Sequence, residues 1–302
     1  MPSKIDLSII ILSYNTQHLL KNCLSTVIAS KKNGFVFEVI VVDNASIDES
    51  CEMIKNEFPS VRLVRNSKNY GYAKGNNIGM KAAFGRFILL LNSDTEVCQD
   101  TFVKMIEFIE NKKKAGLVTC QVEMSDGKMD PACHRGFPTP WASLTYMFGL
   151  EKIFPESKLF GQYHQTFKDF SKPHQIDATT GAFSLIRKEV LEEVGYLDED
   201  YFMYGEDLDW AYRIKKLGWE VWYNPDVKII HFKKQSGREK KLTSEETHKL
   251  KHLRKTSTNH FYNTMKIFYK KHYQDQYSHL LTSLVLLGIE VKRRLTLLRI
   301  SL

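Results

Sequence analysis

Four carboxylates stand where chemistry could use them: Asp43, Asp94, Glu206 and Asp207. Asp94 follows the apolar run Phe87-Ile88-Leu89-Leu90-Leu91 through Asn92 and Ser93. Ligands of open α/β sheets sit in the crevice beyond the carboxyl ends of such strands. A carboxylate at that point offers oxygen to a hard divalent cation bridging phosphate groups. The plainer alternative is that Asp94 caps a following helix, with its body between Asp100 and Asn111. Further on, Glu206, Asp207 and Asp209 open a helical stretch among Tyr201, Phe202, Tyr204 and Trp210. One or two acids there would only complement the helix dipole. Three packed among aromatic rings suggest a partly desolvated carboxylate that takes a proton from an incoming hydroxyl. His231 closes the apolar run Val227–Ile230. Alone it reads as structural, but next to a metal held by Asp94 an imidazole suits a Mn²⁺-like ion. Lys233, Lys234 and Arg238 then stand where cations could neutralise a pyrophosphate leaving group.

These residues need elements to carry them. Ser8–Leu12 reads as a strand entering Ser13-Tyr14-Asn15, and a helix follows from Gln17 to Ser30. Phe37–Val42 is a second strand that ends in Asp43-Asn44-Ala45-Ser46, with a helix from Asp48 to Phe58. Val61–Val64 is a third strand, Asn69–Ala83 a helix, and Arg86–Leu91 a fourth strand. The alternation predicts a parallel, right-handed βαβ sheet. It brings three polar strand ends, Asn15, Asp43 and Asp94, to one edge, as a nucleotide site requires. Asp43 could accept hydrogen bonds from a base or a ribose.

Gly71, Gly75 and Gly79 recur every four residues. That is not the GxGxxG fingerprint, and no GK[ST] follows. Packing is the expected role of Gly79, while Gly75 and Asn76 could approach a phosphate. After a helix over Thr101–Lys112 and a strand over Gly116–Val122, residues Pro131–Pro173 lose clear periodicity and are rich in aromatics, Pro and His. A long irregular insertion of this kind suits an acceptor-side flap. Ile176–Arg187 reads as a strand in which Gly181 permits close approach of a ligand. Lys188–Val194 is a short helix ended by Gly195, and Trp219–Tyr223 and Val227–Ile230 are two more strands.

Composition narrows the classes. With 43% apolar residues in 302, the chain can bury a sizeable core. The formal charge of +8 favours anionic partners, with Lys and Arg crowded after Lys228 and acids gathered between Glu189 and Asp209. Five cysteines with no CxxC pair argue against a disulfide framework or a zinc site and fit a reducing, cytoplasmic setting. The early apolar run Leu7–Leu12 is too short for a signal peptide. His279–Ile289 falls short of the roughly twenty residues needed to span a bilayer. From Ser244 onward the pattern is helical and basic. It suits a helix lying on an anionic membrane and equally a hairpin packed on the domain or on a second subunit.

Taken in order, several pieces resemble the inverting family 2 glycosyltransferases of the GT-A fold, most closely the rhamnosyltransferase-like branch that builds bacterial surface polysaccharides. They are Ser13-Tyr14-Asn15, Val42-Asp43-Asn44-Ala45-Ser46, Asn69-Tyr70-Gly71-Tyr72-Ala73 with Gly75-Asn76-Asn77, Leu91-Asn92-Ser93-Asp94, Thr180-Gly181-Ala182-Phe183 with Arg187, Gly205-Glu206-Asp207-Leu208-Asp209, and His231. The resemblance implies an α/β fold: a Rossmann-like, mainly parallel sheet with helices on both faces over residues 1–240, then a basic helical tail over 241–302. It implies that Asn15, Asp43, Asn44, Gly75, Asn76, Asn92, Ser93, Gly181 and Arg238 hold a nucleotide-sugar. Asp94 and His231 would ligate Mn²⁺ or Mg²⁺, and Asp207 would be the general base with Glu206 in support. Asn92 departs from the strict DxD motif and brings less charge to the metal.

The expected partners are a nucleoside-diphosphate sugar, with dTDP-rhamnose ahead of a UDP-hexose, and a glycan or polyprenyl-diphosphate-linked acceptor. Peripheral contact with the inner face of the cytoplasmic membrane is expected through the tail, nucleic acid is not, and a homodimer stays open. A sugar nucleotidyltransferase would show a Gly-rich basic loop after the first strand, which Asn15-Thr16-Gln17 is not. A noncatalytic membrane-associated scaffold with a degenerate pocket would have lost the acids.

Overall fold

A computed structural model describes residues 5–232 and 244–301. The chain divides into two compact units, bounded by 1–198 with 207–233 and by 199–206 with 234–302.

The first unit is built on four parallel strands: β1 (Leu7–Ser13), β2 (Phe37–Asp43), β3 (Arg62–Arg65) and β4 (Phe87–Asn92). Leu7 stands opposite both Phe37 and Phe87, so the carboxyl ends Ser13, Asp43 and Asn92 reach one rim together. Ile9, Ile10, Ile11, Ile40, Val41, Val42, Leu89, Leu90 and Leu91 are buried, as strands covered on both faces must be. Helices α1 (Gln17–Ile28), α2 (Ser50–Glu57) and α3 (Gly71–Lys81) form the crossovers. In α1 the buried Leu20, Cys23, Leu24 and Val27 recur at three- and four-residue spacing and make one apolar stripe. Helix α3 lies close on the sheet: a Cβ at Gly79 would meet Ile10 Cγ2 at 2.4 Å, and one at Gly75 would meet Leu12 Cδ1 at 2.5 Å.

The remaining strands are β5 (Thr95–Val97), β6 (Ala115–Met124), β7 (His174–Gln175), β8 (Phe183–Arg187) and β9 (Glu220–His231). Among the described residues the sheet runs β3-β2-β1-β4-β8-β6-β9-β5, with β7 on β9. Strand β8 is antiparallel to both β4 and β6, so the sheet is mixed. The strand expected over Ile176–Arg187 shrinks to its last five residues, because Thr179–Ala182 turn to bring β8 back against β4. The two strands expected around Pro225 are one strand. β9 absorbs the proline in a register shift against β6 between Cys120 and Gln121, where the missing N–H breaks no ladder. Asp94 does not cap α4 (Thr101–Glu110), since β5 intervenes. The segment expected to be irregular holds a 3₁₀ turn at Pro131–Cys133 and helices α5 (Pro140–Met147) and α6 (Leu150–Ile153). Helix α7 (Lys188–Val194) ends at Gly195, and α8 (Glu206–Lys216) follows.

The second unit holds the helical tail. Helices α9 (Ser244–His272) and α10 (His279–Ser301) pair with each other through Tyr262–Thr296, Arg293–Asn259 and Lys266–Glu290. Among the described residues no helix is long and apolar enough to cross a membrane.

Candidate active site

The loops after β1 and β2 are pinned to each other before any ligand is considered. Asn15, at φ 53°, donates its N–H to Ser46 Oγ at 2.9 Å and accepts the Ile47 N–H through Oδ1 at 2.8 Å. Ala45 sits at φ 63°, a left-handed position that costs an L-residue about 1–2 kcal/mol. Asp43 closes this turn by accepting the Ser46 N–H through Oδ2 at 3.0 Å. Its other oxygen, Oδ1, is buried and takes no hydrogen bond among the described residues. A buried, unpaired acceptor of this kind invites a donor such as a base N–H or a ribose hydroxyl. The nearby Cys51 thiol is pushed above its ordinary value by burial and then by the Asp43 carboxylate.

Asn44 is consumed by the scaffold. Its amide donates to Asn69 Oδ1 at 3.2 Å and to the Gly71 carbonyl at 3.0 Å, and its oxygen accepts from Asn66 Nδ2 at 2.8 Å. Gly75 packs on Leu12 and Asn44, and the buried Asn76 donates to the Tyr72 carbonyl at 3.0 Å. These three residues set the position of α3 beneath the rim. Ser93 bonds Thr16 Oγ1 at 3.2 Å, joining the ends of β4 and β1. Gly181 leaves room for Tyr72: a Cβ there would lie 2.6 Å from the phenol oxygen, whose one O–H has two acceptors in reach, the Gly181 carbonyl at 2.7 Å and Asn92 Oδ1 at 3.2 Å.

Beyond Asn92 the acids and a histidine converge. Asp94 Oδ1 lies 3.0 Å from His231 Nε2, and Asn92 Nδ2 lies 3.4 Å from the same nitrogen. The spacing is set by backbone. Thr95 pairs with His231 across β5 and β9, and the Phe232 N–H donates to the Asp94 carbonyl at 2.8 Å. On its far side His231 Nδ1 faces Asp130 Oδ2 at 3.6 Å, with both side chains buried. A carboxylate behind an imidazole orients the ring and raises its basicity as a ligand. One carboxylate oxygen and one imidazole nitrogen side by side are the donor types that a Mn²⁺-like ion takes. Among the described residues no third His, Cys, Asp or Glu side chain completes such a set.

Asp207 stands in the first turn of α8. Its Oδ2 accepts a hydrogen bond from Arg135 Nη2 at 2.6 Å, and Oδ1 accepts the Leu208 N–H at 2.8 Å. Arg135 also donates to the Thr179 carbonyl at 2.6 Å. Burial works against its charge, but Asp207 chiefly, with a smaller contribution from Asp130, holds the guanidinium above its ordinary value. Arg135 thus stands between the carboxylate behind His231 and the carboxylate of α8. Glu206, also buried, opens α8 one residue earlier. Asp209 has a different task. Its Oδ2 accepts from Arg213 Nε at 2.8 Å, and Arg213 donates onward to the carbonyls of Val194 and Tyr196, tying α8 to the end of α7. Arg238, Lys233 and Lys234 lie outside the described residues.

Asp130, Arg135 and Tyr72 carry parts of this site that sequence reasoning did not assign. For Arg135 a signal existed: it is a lone cation in an aromatic stretch with no acid beside it, so its partner must come from elsewhere in the chain.

A family model described as glycosyl transferase family 2 matches residues 8–195, well over half of the chain. The chain belongs to this family. It is 27% identical over 230 residues to a low-salt glycan biosynthesis hexosyltransferase of Haloferax volcanii, covering 75% of this chain and 67% of that protein. It is 24% identical over 209 residues to the N-acetylglucosaminyl-diphospho-decaprenol L-rhamnosyltransferase of Mycobacterium tuberculosis, covering 66% and 67%. Among solved structures it resembles the mannosyltransferase PcManGT of Pyrobaculum calidifontis in complex with GDP-Man and Mn²⁺, with TM-score 0.57, 16% identity, and coverage of 97% and 70%. This family 2 glycosyltransferase therefore has the GT-A fold. The nucleotidyltransferase and scaffold readings are not favoured.

Proposed function

We propose that this glycosyltransferase moves a hexosyl or 6-deoxyhexosyl group from a nucleoside-diphosphate sugar to a hydroxyl of a glycan or lipid-linked sugar, inverting the anomeric centre. The observation that carries the reading is the Asp94–His231 pair at 3.0 Å, backed by Asp130, at the end of the central strands. Asp43 takes the nucleoside through its unpaired Oδ1, with Asn15 holding the loop that presents it. Asp94 and His231 would hold a Mn²⁺ or Mg²⁺ ion, with Asn92 alongside. Such an ion, when bound, supplies Lewis-acid stabilisation of the diphosphate's charge.

Asp207 is the base. Arg135 and the Leu208 N–H fix its carboxylate in place, so the acceptor hydroxyl meets an oriented acceptor of its proton. The acceptor oxygen bonds to the anomeric carbon as the bond from that carbon to the diphosphate oxygen breaks. The proton passes to Asp207, and the nucleoside diphosphate leaves with the bonding electrons. Glu206 supports Asp207 at the start of α8. An L-rhamnosyl donor on dTDP is preferred, because a relative at 24% identity is named as an L-rhamnosyltransferase acting on a diphospho-decaprenol sugar. The transfer belongs to residues 1–240, and the tail from 241 to 302 has a separate task.

The test is a thermal-shift panel of dTDP-, UDP- and GDP-sugars with and without Mn²⁺. A ligand at about 100 times its dissociation constant adds about 2.7 kcal/mol to stability. One nucleotide raising the midpoint only with metal is the expected result. No shift with any nucleotide, in protein shown to be folded, would overturn the reading.

A further inference from the structure

Helix α10 carries an apolar stripe that no described residue of its own unit covers. Leu280, Leu284, Leu287, Val291, Leu295 and Leu298 are each between 47% and 73% exposed. Their spacing of three and four residues keeps them in line on one face, over roughly 27 Å of helix. The opposite face is the one that pairs with α9: Thr282 bonds Tyr269, Thr296 bonds Tyr262 and Arg293 donates to Asn259 at 2.8 Å. The stripe therefore points away from the hairpin. A contiguous apolar surface of this length marks an interaction site.

The charges around the stripe identify what it meets. At 100° per residue, Arg294 falls along one margin of the stripe, and Lys292 and Arg299 fall along the other. From His279 to Ser301 the helix has four cations, Lys292, Arg293, Arg294 and Arg299, and one acid, Glu290. That acid is already engaged, accepting from Lys266 at 2.6 Å, Arg293 at 2.7 Å and Arg294 at 3.0 Å. A second copy laid parallel against the stripe would bring cation against cation, and one laid antiparallel would set the cations of 292–299 against uncharged turns, so neither supplies an acid to meet them. An anionic lipid surface has the complementary charge, and long basic side chains reach its headgroups while the leucines enter the acyl boundary.

We infer that α10 is a membrane-surface helix that lies in the interface of an anionic bilayer with Leu280–Leu298 downward. Its apolar stripe and basic margins act together, and neither alone is sufficient. The inference does not depend on the donor, metal or base assigned above.

The test is co-sedimentation of the full chain with vesicles of phosphatidylcholine alone and with vesicles enriched in phosphatidylglycerol. Binding to the anionic vesicles, weakened by salt, is expected. The double variant Leu284→Glu/Leu287→Glu, at two exposed positions, should keep the circular dichroism of the parent chain and lose the binding. Lys292→Ala should weaken it by about fivefold. Equal binding to both vesicle types would overturn the charge argument. So would no vesicle binding by the folded chain, or self-association that Leu284→Glu/Leu287→Glu abolishes, the latter making the stripe a subunit contact.

Discussion

The pairing of Arg135 with Asp207 can be tested without a substrate. Replacing Arg135 with Met removes the donor to Asp207 Oδ2 at 2.6 Å and leaves the carboxylate the Leu208 N–H on Oδ1. Arg135 is 12% and Asp207 16% exposed, so water restores little of what is lost. An exposed ion pair is worth at most about 1 kcal/mol. Breaking a buried one from one side costs about 3–5 kcal/mol, because the other charge stays behind. Against a total stability of about 5–15 kcal/mol that is a large fraction. Asp207→Asn keeps an oxygen for the guanidinium to donate to and should cost less, about 1–3 kcal/mol. The double variant has neither charge, so it should be more stable than the two single losses added together, by about 1–3 kcal/mol. The assay is urea unfolding followed by tryptophan fluorescence on all four proteins, with equal slopes required. If the losses add to within about 0.5 kcal/mol, the two side chains are not coupled and the orienting role given to Arg135 is wrong.

Three further outcomes are expected. Asp130→Asn should weaken Mn²⁺ binding about 10–100-fold, read by the Mn²⁺ electron paramagnetic resonance signal in the presence of a nucleoside diphosphate; unchanged affinity would separate Asp130 from the metal. Of the five free cysteines only Cys98 is exposed, and burial pushes Cys23 and Cys133 up to about 12, so one thiol should react quickly with a disulfide reagent and the others only on unfolding. Glu290 is held well below its ordinary value of 4.5, first by the hydrogen bond from Arg293 and then by Lys266 and Arg294. Its contribution is therefore present above 4.5 and is lost as pH falls below it. The helical signal of α9 and α10 should melt earlier in acid, and Glu290→Gln should flatten that dependence.

Much of the fold was legible because buried parallel strands leave a mark that needs no partner to be read. β1, β2 and β4 appear as short β-branched or leucine runs, each followed by a polar residue, and their ends fell within a residue or two of the reading. Direction was not legible. Phe183–Arg187 is as apolar as a parallel strand, and only its neighbours β4 and β6 make it antiparallel. The candidate site divides in the same way. Asp43, Asp94 and Asp207 stand at element ends, where a local pattern marks them. Asp130 meets His231 about a hundred positions away in sequence and Arg135 meets Asp207 72 positions away, and no local pattern encodes a contact at that range. Asn44 lies in the loop after β2 and Gly75 within α3, and the contacts of both are with the scaffold, which a local pattern does not show.

The bond from the Phe232 N–H to the Asp94 carbonyl, with Thr95 opposite His231, has a consequence for how such a site can change over time. The separation of the two groups belongs to a ladder of main-chain atoms and is inherited with the fold, whatever side chains occupy it. For the metal site proposed above, another preference would be sought by exchanging the side chains at 92, 94 or 231, as one exchanges bits in a fixed chuck. Altering the span between them would mean rebuilding two strands.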